Sequence, residues 1–442
     1  MQRIGFTLAI LLMASTAFGQ VRVVSPEGHS LEDLVGTDRL VTVVLTAGPR
    51  DANLEVVEIG PSYLAVRDAN GARHSYLFDH IAEVRVQEDT VEERRFVLDE
   101  SRALTADEQN VVNRAMTRAQ EIFNDTTANQ PMRMDAAALL ALDGNREARE
   151  YLHQRARSND LQTALDAAQR LYLVQDDTGA ARAVENGLNS GNRQIRAQAA
   201  KLAGLLQFTQ YEDVLLEMTR NRLAEISAPA ARALARMGSE RVKPILYEML
   251  GEISSRKNEA AIFGLTELGG EDVIAELRRR LDRASGATRF RIIKVLHKLG
   301  DFEGTQLLRD AIIQTPTVAT EAAILLARDG DFEGRDHLNA RLNERYNPYE
   351  EVFIRRAEMV AALIEGEDRR AIAELQELLR TERSNVDVAV LNLIARVGMR
   401  SLMPLTQLKI DSANNEVALA AAQAATAVAN PGFRRRLQDV RL

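Results

Sequence analysis

Apolar positions along most of the chain recur at helical spacing, in short blocks that come in twos. Ile292, Val295, Leu296 and Leu299 fall at i, i+3, i+4 and i+7, one face of a helix, and past Gly300 the residues Leu308 and Ile312 stand four apart on a second helix. Moving this template by about thirty residues in either direction lands on further matches, the mark of a repeat rather than of chance. Ala230, Ala233, Leu234, Met237, Leu246 and Leu250 fit it, as do Ala261, Gly264, Leu265, Leu268, Leu277 and Leu281, and later Val390, Leu393, Ile394, Val397 and Ile410. Around the template the repetition is nearly literal, with Lys298-Leu299-Gly300-Asp301-Phe302-Glu303-Gly304 answered by Arg328-Asp329-Gly330-Asp331-Phe332-Glu333-Gly334. Weaker units at 133–157, 162–189, 193–222, 318–345, 353–380 and 415–439 bring the total to about ten helix pairs.

A single pair cannot bury its own apolar stripe. Stacked side by side, each pair covers its neighbour and one elongated core results, so the expected architecture is mainly α, an α-α superhelix over 131–442. Gly238, Gly269, Gly300, Gly330 and Gly398 stand where each first helix must stop, because glycine takes the left-handed cap conformation without a Cβ penalty. Pro244 and Pro404 follow two of them at the same distance, suited to the first turn of the second helix.

On these residues a family resemblance can be read. Arg193-Gln194-Ile195-Arg196-Ala197-Gln198-Ala199-Ala200-Lys201-Leu202 resembles the first helix of HEAT-like repeats, in which an Arg follows an apolar residue and precedes an Ala-rich face. Gly238-Ser239-Glu240-Arg241-Val242-Lys243-Pro244-Ile245-Leu246 resembles the turn and second helix of the same family, although the usual Asp-Pro turn dipeptide is missing. The resemblance runs from roughly 131 to 439 and implies protein–protein interaction over a long curved surface lined by second helices. HEAT-like proteins of the phycobilin lyase group include enzymes or chaperones that attach pigments to client cysteines, and no residue here singles out that role.

From 36 to 87 the period falls to two and β-branched residues dominate, giving candidate strands at 39–46, 54–59, 63–68, 73–78 and 81–87. Asn70-Gly71 is a tight hairpin signal. Five short strands in so small a span favour a bent barrel, placed at 30–88. Leu31-Glu32-Asp33-Leu34-Val35-Gly36 followed by Val41-Thr42-Val43-Val44-Leu45 resembles the short helix and opening strand of Sm-like and SH3-like barrels. The RNA-reading loops of Sm-like proteins find no match, so RNA binding does not follow. Residues 89–130 read as a charged linker and a helix opened by Thr105-Ala106-Asp107-Glu108, a capping box, expected to cover the first repeat; Asn430-Pro431-Gly432 and the Arg434-Arg435-Arg436 run are expected to cap the far end.

Residues 1–19 carry Arg3, an apolar run from Phe6 to Met13 and small residues before Gln20, the layout of a secretory signal peptide. The apolar run is much shorter than the roughly 20 residues of a membrane span. A periplasmic or secreted location is therefore expected. The chain has no cysteine, which excludes disulfides, thiolate ligands, a cysteine nucleophile and an acylated lipoprotein anchor. Its net charge is −8, becoming −9 when the one charged leader residue, Arg3, is removed, and this disfavours nucleic acid as a partner. The runs Arg278-Arg279-Arg280 and Arg434-Arg435-Arg436 are read as solvated helix faces.

No Gly-rich phosphate loop, Gly-x-Ser-x-Gly elbow or His-Glu-x-x-His pair is present, so no catalysis and no cofactor are expected. His153, His297 and His337 fall on separate repeats; His74 and His80 with Asp79 lack the spacing of a metal motif. Glu271-Asp272 and Glu367-Asp368 are read as helix starts, where carboxylates meet the dipole favourably. The expected function is that of an exported protein-binding scaffold or adaptor, with a self-assembling envelope component and a relative of the HEAT lyases or chaperones as alternatives. Arg278, Arg309, Arg335, Arg341 and Glu344, polar positions on second helices, are the candidate contact surface for a protein partner.

Overall fold

The computed structural model describes residues 22–24, 31, 34–35, 40–45, 50–59, 63–67, 73–86, 103–344, 350–366 and 368–441. The leader, the Asn70-Gly71 turn, the linker stretch 89–102 and Glu367 lie outside the described residues.

The N-terminal part is a small curled sheet of β1 (Arg22–Val24), β2 (Leu40–Leu45), β3 (Arg50–Ile59), β4 (Tyr63–Arg67), β5 (Arg73–Leu77) and β6 (Ile81–Val86), in the order β1-β6-β2-β3-β4-β5. All pairings are antiparallel except β1 with β6. The alternation predicts the inner face correctly: Val41, Val43, Leu54, Val56, Leu64, Val66, Tyr76 and Val84 are buried together with Leu34. Register shifts at Val41/Val43, Val44/Leu45 and Val56/Glu58 bend the ribbon, as bulges do. Two features escape the pattern. β1 is too short to show a period, and β3 begins at Arg50, where pairing of Arg50 and Asp51 with Val44 and Val43 recruits residues of poor strand propensity.

From Ala106 onward the described residues are mainly helical. α1 (Ala106–Asn124) opens with the capping box, Glu108 N–H donating to Thr105 Oγ1 at 3.2 Å and Thr105 N–H to Glu108 Oε2 at 2.8 Å. Ten pairs follow. They are α2 (Gln130–Leu142) with α3 (Arg146–Ala156), α4 (Leu161–Leu173) with α5 (Ala180–Leu188), α6 (Arg193–Leu205) with α7 (Glu212–Thr219), α8 (Ala224–Arg236) with α9 (Lys243–Met249), and α10 (Ser255–Leu268) with α11 (Glu271–Leu281). Then come α12 (Gly286–Lys298) with α13 (Phe302–Gln314), α14 (Pro316–Arg328) with α15 (Phe332–Leu342), α16 (Glu350–Glu365) with α17 (Ile372–Leu379), α18 (Ser384–Val397) with α19 (Met403–Ile410), and α20 (Asn415–Ala429) with α21 (Pro431–Arg441). The predicted stop glycines all have positive φ, from +54° at Gly269 to +77° at Gly330. Pro244 and Pro404 sit in the first turns of α9 and α19.

First helices pack tightly on one another through most of the stack, most closely α6 on α8, α8 on α10 and α18 on α20, whereas second helices barely touch each other. The stack therefore bends toward its first helices, which form the inner layer. Their alanines and glycines permit the close approach. At Gly204 a Cβ would stand 2.5 Å from the Cα of Ala233 on the next inner helix.

The bend closes the chain on itself. α1 packs on α2 and also on α19 and α20, and one core cluster joins Val111, Ala115, Met134 and Leu139 with Val390, Leu405, Ala421 and Leu437. Arg118 Nη2 donates to Ser412 O at 3.2 Å and Asn415 Oδ1 at 2.8 Å, Arg114 pairs with Asp411, and Arg400 lies 3.5 Å from Glu108. The helix expected to cap the first repeat thus meets the last repeat across a seam. The reason is apolar: α20 buries Val417 to Ala422 and Ala424 to Val428, interrupted only by half-buried Gln423, which requires neighbours on nearly every side.

Candidate interaction surfaces

The predicted row of second-helix residues is mostly engaged within the fold. Asp301 and Asp331 are the N-caps of α13 and α15, accepting from the N–H of Gly304 at 2.7 Å and of Gly334 at 3.1 Å. Both are buried, and each meets an Arg of the preceding second helix: Arg278 with Asp301, and Arg309 with Asp331 through Nε at 2.8 Å and Nη2 at 2.7 Å. This explains the repeated Asp-Phe-Glu-Gly: the Asp caps its helix and anchors the previous one. The Gly lets the helix start lie against Leu296 or Ala327, where a Cβ would come within 2.6 or 2.7 Å.

Arg335 follows the same pattern more loosely. Burial works against the Asp368 carboxylate, yet the hydrogen bond and charge of Arg370, aided by Arg335, hold it below the ordinary value. Arg341 and Glu344 are exposed and paired with each other at 2.5 Å. The five positions thus form a chain of interhelix anchors with one exposed pair, rather than an open basic stripe.

The inner layer carries a belt of side-chain pairs that periodicity alone does not reveal. Successive inner helices are joined by Arg170 with Asp135 at 2.9 Å, Gln198 with Asp166 at 2.6 Å, Arg232 with Glu259 at 3.5 Å and Lys294 with Glu321 at 2.5 Å. Arg328 and Arg396 share Glu358 and Glu365, at 2.9 to 3.4 Å.

Helix α21 lies across the C-terminal ends of inner helices and caps them. Arg434 donates to Gly398 O at 3.0 Å, Arg436 to Leu173 O at 2.7 Å and Gln438 to Arg396 O at 2.8 Å. Two residues of the Arg434-Arg435-Arg436 run thus serve helix ends, where cations are favoured, rather than forming a wholly solvated face. At its own C-terminus, Arg236 Nη2 donates to Asp439 O at 3.0 Å, Lys201 to Val440 O, and Tyr172 Oη to Asp439 Oδ2 at 3.1 Å. Burial, with Arg236 and Arg232 nearby, brings the Lys201 ammonium down to about 8; burial and the Asp439 carboxylate push the Tyr172 phenol up to about 12. Arg232 and Arg236 also lie over the Phe263 ring at 5.9 and 5.0 Å.

Among the described residues the histidines do not converge. His153 meets Asp176 at 3.1 Å; His297 sits between Asp329 and Thr305, each at 3.1 Å; buried His337 Nε2 has no hydrogen-bond partner among the described residues. His80 stacks on Phe302 with centroids 6.4 Å apart. Among the described residues no group of three His, Asp or Glu could hold a metal ion. At the start of α11, Asp272 binds Lys243 at 2.8 Å.

The fold defines a helical-repeat protein, an α-solenoid bent until its ends meet, preceded by a small curled sheet. Its repeats are of the HEAT-like kind: residues 181–260 match the family model described as HEAT repeats. No curated relative matches the chain. Among solved structures, the chain is similar to the complex of CpcE and CpcF of phycocyanin lyase from Nostoc sp. PCC7120, at 17% identity over 51% of this chain and 91% of that one, with a TM-score of 0.34. It is also similar to human deoxyhypusine hydroxylase in complex with glycerol, at 19% over 59% and 98% with a TM-score of 0.27. A structure of tubulin recruitment and assembly by microtubule polymerases with tumor overexpressed gene domain arrays gives 11% over 73% and 91%, with a TM-score of 0.19.

Proposed function

We propose that this chain is an exported, non-catalytic scaffold that binds a protein partner on its helical-repeat surface. The observation that carries the reading is the use made of polar side chains. Arg278, Arg309, Arg328 and Arg396 pair with carboxylates of neighbouring helices, stiffening the ring. What such a body offers is surface, presented on outward second helices and on the sheet. The leader pattern of residues 1–19 supports export, and no helix of the described residues is long and apolar enough to cross a membrane. The strand order β6-β2-β3-β4-β5, with a 3-10 turn at Phe78–His80 joining β5 to β6, supports an Sm-like reading of the sheet as a second contact module.

The test is affinity capture of residues 20–442 from the envelope extract of the source cell, in parallel with a chain lacking residues 20–100. One stoichiometric protein partner supports the scaffold, and its loss from the shortened chain assigns the contact to the sheet. Recovery of a bound small molecule or metal with no protein overturns the reading.

A further inference from the structure

The outer face opens between α9 and α11 into a groove of about 520 Å³. It exists because α9 is short: the helix ends at Met249, and the chain turns through Leu250 and Gly251 toward α10, leaving space against α11 and the first turn of α12. Buried Leu250 and Ile292 form an apolar floor with Ala284 and the Tyr247 ring beside them.

The rim is cationic. Arg279, Arg280 and Arg283 line it against Glu248 and Glu276, a local balance of +1 (three minus two) on a chain of −8. Arg278 is bound to buried Asp301, whereas Arg279, Arg280 and Arg283, all exposed, line the groove. Arg280 lies 4.8 Å over the Tyr247 ring and 2.5 Å from Glu276, Arg279 shares that carboxylate, and exposed Arg283 makes no ion pair among the described residues. Beyond Gly251 of the lining, Ile253 is 101% exposed, an apolar side chain held entirely in water.

We propose that this groove docks a short acidic segment of the partner protein, its carboxylates meeting Arg279, Arg280 and Arg283 while an apolar side chain enters over Leu250, Ile292 and Tyr247. The proposal rests on the scaffold reading and names the partner's chemistry. A planar guanidinium rim pairs with carboxylates bidentately, and the apolar floor adds the burial that a purely ionic contact lacks. The apolar floor has no partner in a continuous phosphate backbone, and the chain's net charge of −8 disfavours one, which favours a peptide over nucleic acid.

The test titrates the full chain into a fluorescein-labelled hexapeptide, Asp-Glu-Leu-Asp-Glu-Leu, followed by anisotropy, beside its Asn-Gln-Leu-Asn-Gln-Leu analogue and a single-stranded oligothymidylate. The acidic peptide should bind in preference to both others, lose affinity as salt is raised, and bind about tenfold more weakly to the R279E/R283E double variant. Both substituted residues are exposed, so the variant should keep the wild-type melting temperature. Absence of peptide binding, binding indifferent to the double variant, or preference for oligothymidylate each overturns the proposal. Capture of a partner undiminished in R279E/R283E would leave the scaffold standing and remove the groove. Peptide binding with no partner captured would do the reverse.

Discussion

Tyr172 and Asp439 stand 267 positions apart, yet the phenol hydroxyl donates to the carboxylate at 3.1 Å. The bond fastens the last turn of α21 to the end of α4 and so joins the two ends of the helical stack. Tyr172→Phe removes the donor and leaves the ring packing in place. It should cost about 1 kcal/mol in denaturant unfolding, with faster hydrogen exchange confined to 431–441. Unchanged exchange there would show that α21 is held by its apolar side alone.

The anchors between repeats differ in burial and so in consequence. Arg309 and Asp331 are both nearly inaccessible, with side chains 6% and 5% exposed, whereas Arg341 and Glu344 are about half exposed. Arg309→Ala strands a buried carboxylate and should cost about 3–5 kcal/mol. Arg341→Ala should fall within about 0.5 kcal/mol of wild type. Urea melts of the two variants check this, and similar midpoints would refute the distinction.

Lys201 gives the ring a pH signature. Unfolded, its ammonium holds a proton up to the ordinary 10.5; in the ring, burial and the charges of Arg236 and Arg232 reduce this to about 8. Between those values the unfolded chain binds the extra proton, so this residue makes folding more favourable as pH rises from about 8 toward 10.5 and withdraws that gain as pH falls back through 8. Tyr172, raised from 10.0 to about 12, alters stability only above about 10 and does so equally in both proteins. The melting temperature of wild type relative to Lys201→Met should therefore rise across it. A constant difference would mean that Lys201 keeps its ordinary proton affinity when folded.

Two glycines separate backbone strain from close approach. Gly238, at φ +72°, has open space where a Cβ would point, so Gly238→Ala should cost about 1 kcal/mol from the backbone alone. Gly204 lies inside α6, and its missing Cβ leaves room for the Ala233 backbone. Gly204→Ala gains helix propensity but overpacks the inner layer, and should lose about 1–3 kcal/mol net. A stabilised Gly204→Ala would show that α6 and α8 can separate freely.

Much of this was legible because it is local. The stop glycines, the Thr105 capping box and the alternating strands each depend on a few neighbouring residues, and the thirty-residue period follows from the need of every pair to cover the next. The Asp-Phe-Glu-Gly repeat was visible too, but its meaning was not. The cap is local, whereas the Arg that reaches each Asp comes from the preceding repeat. Arg278 and Arg309 consequently read as solvated when they are anchors.

Closure is the other thing the chain order conceals. The nearly continuous Ala-rich stretch of α20, interrupted by Gln423 and Thr426, was a readable sign that this helix has neighbours on most sides, and so is not an end. Which helices would surround it depended on curvature, a small rotation added at every pair and set by the alanines and glycines between inner helices. By itself the sequence determined a HEAT-like stack of helix pairs behind a small curled sheet. Only the tertiary structure decided that the stack bends toward its first helices until α1 meets α20, because the angle between one pair and the next is a property of packing across repeats and accumulates over all ten.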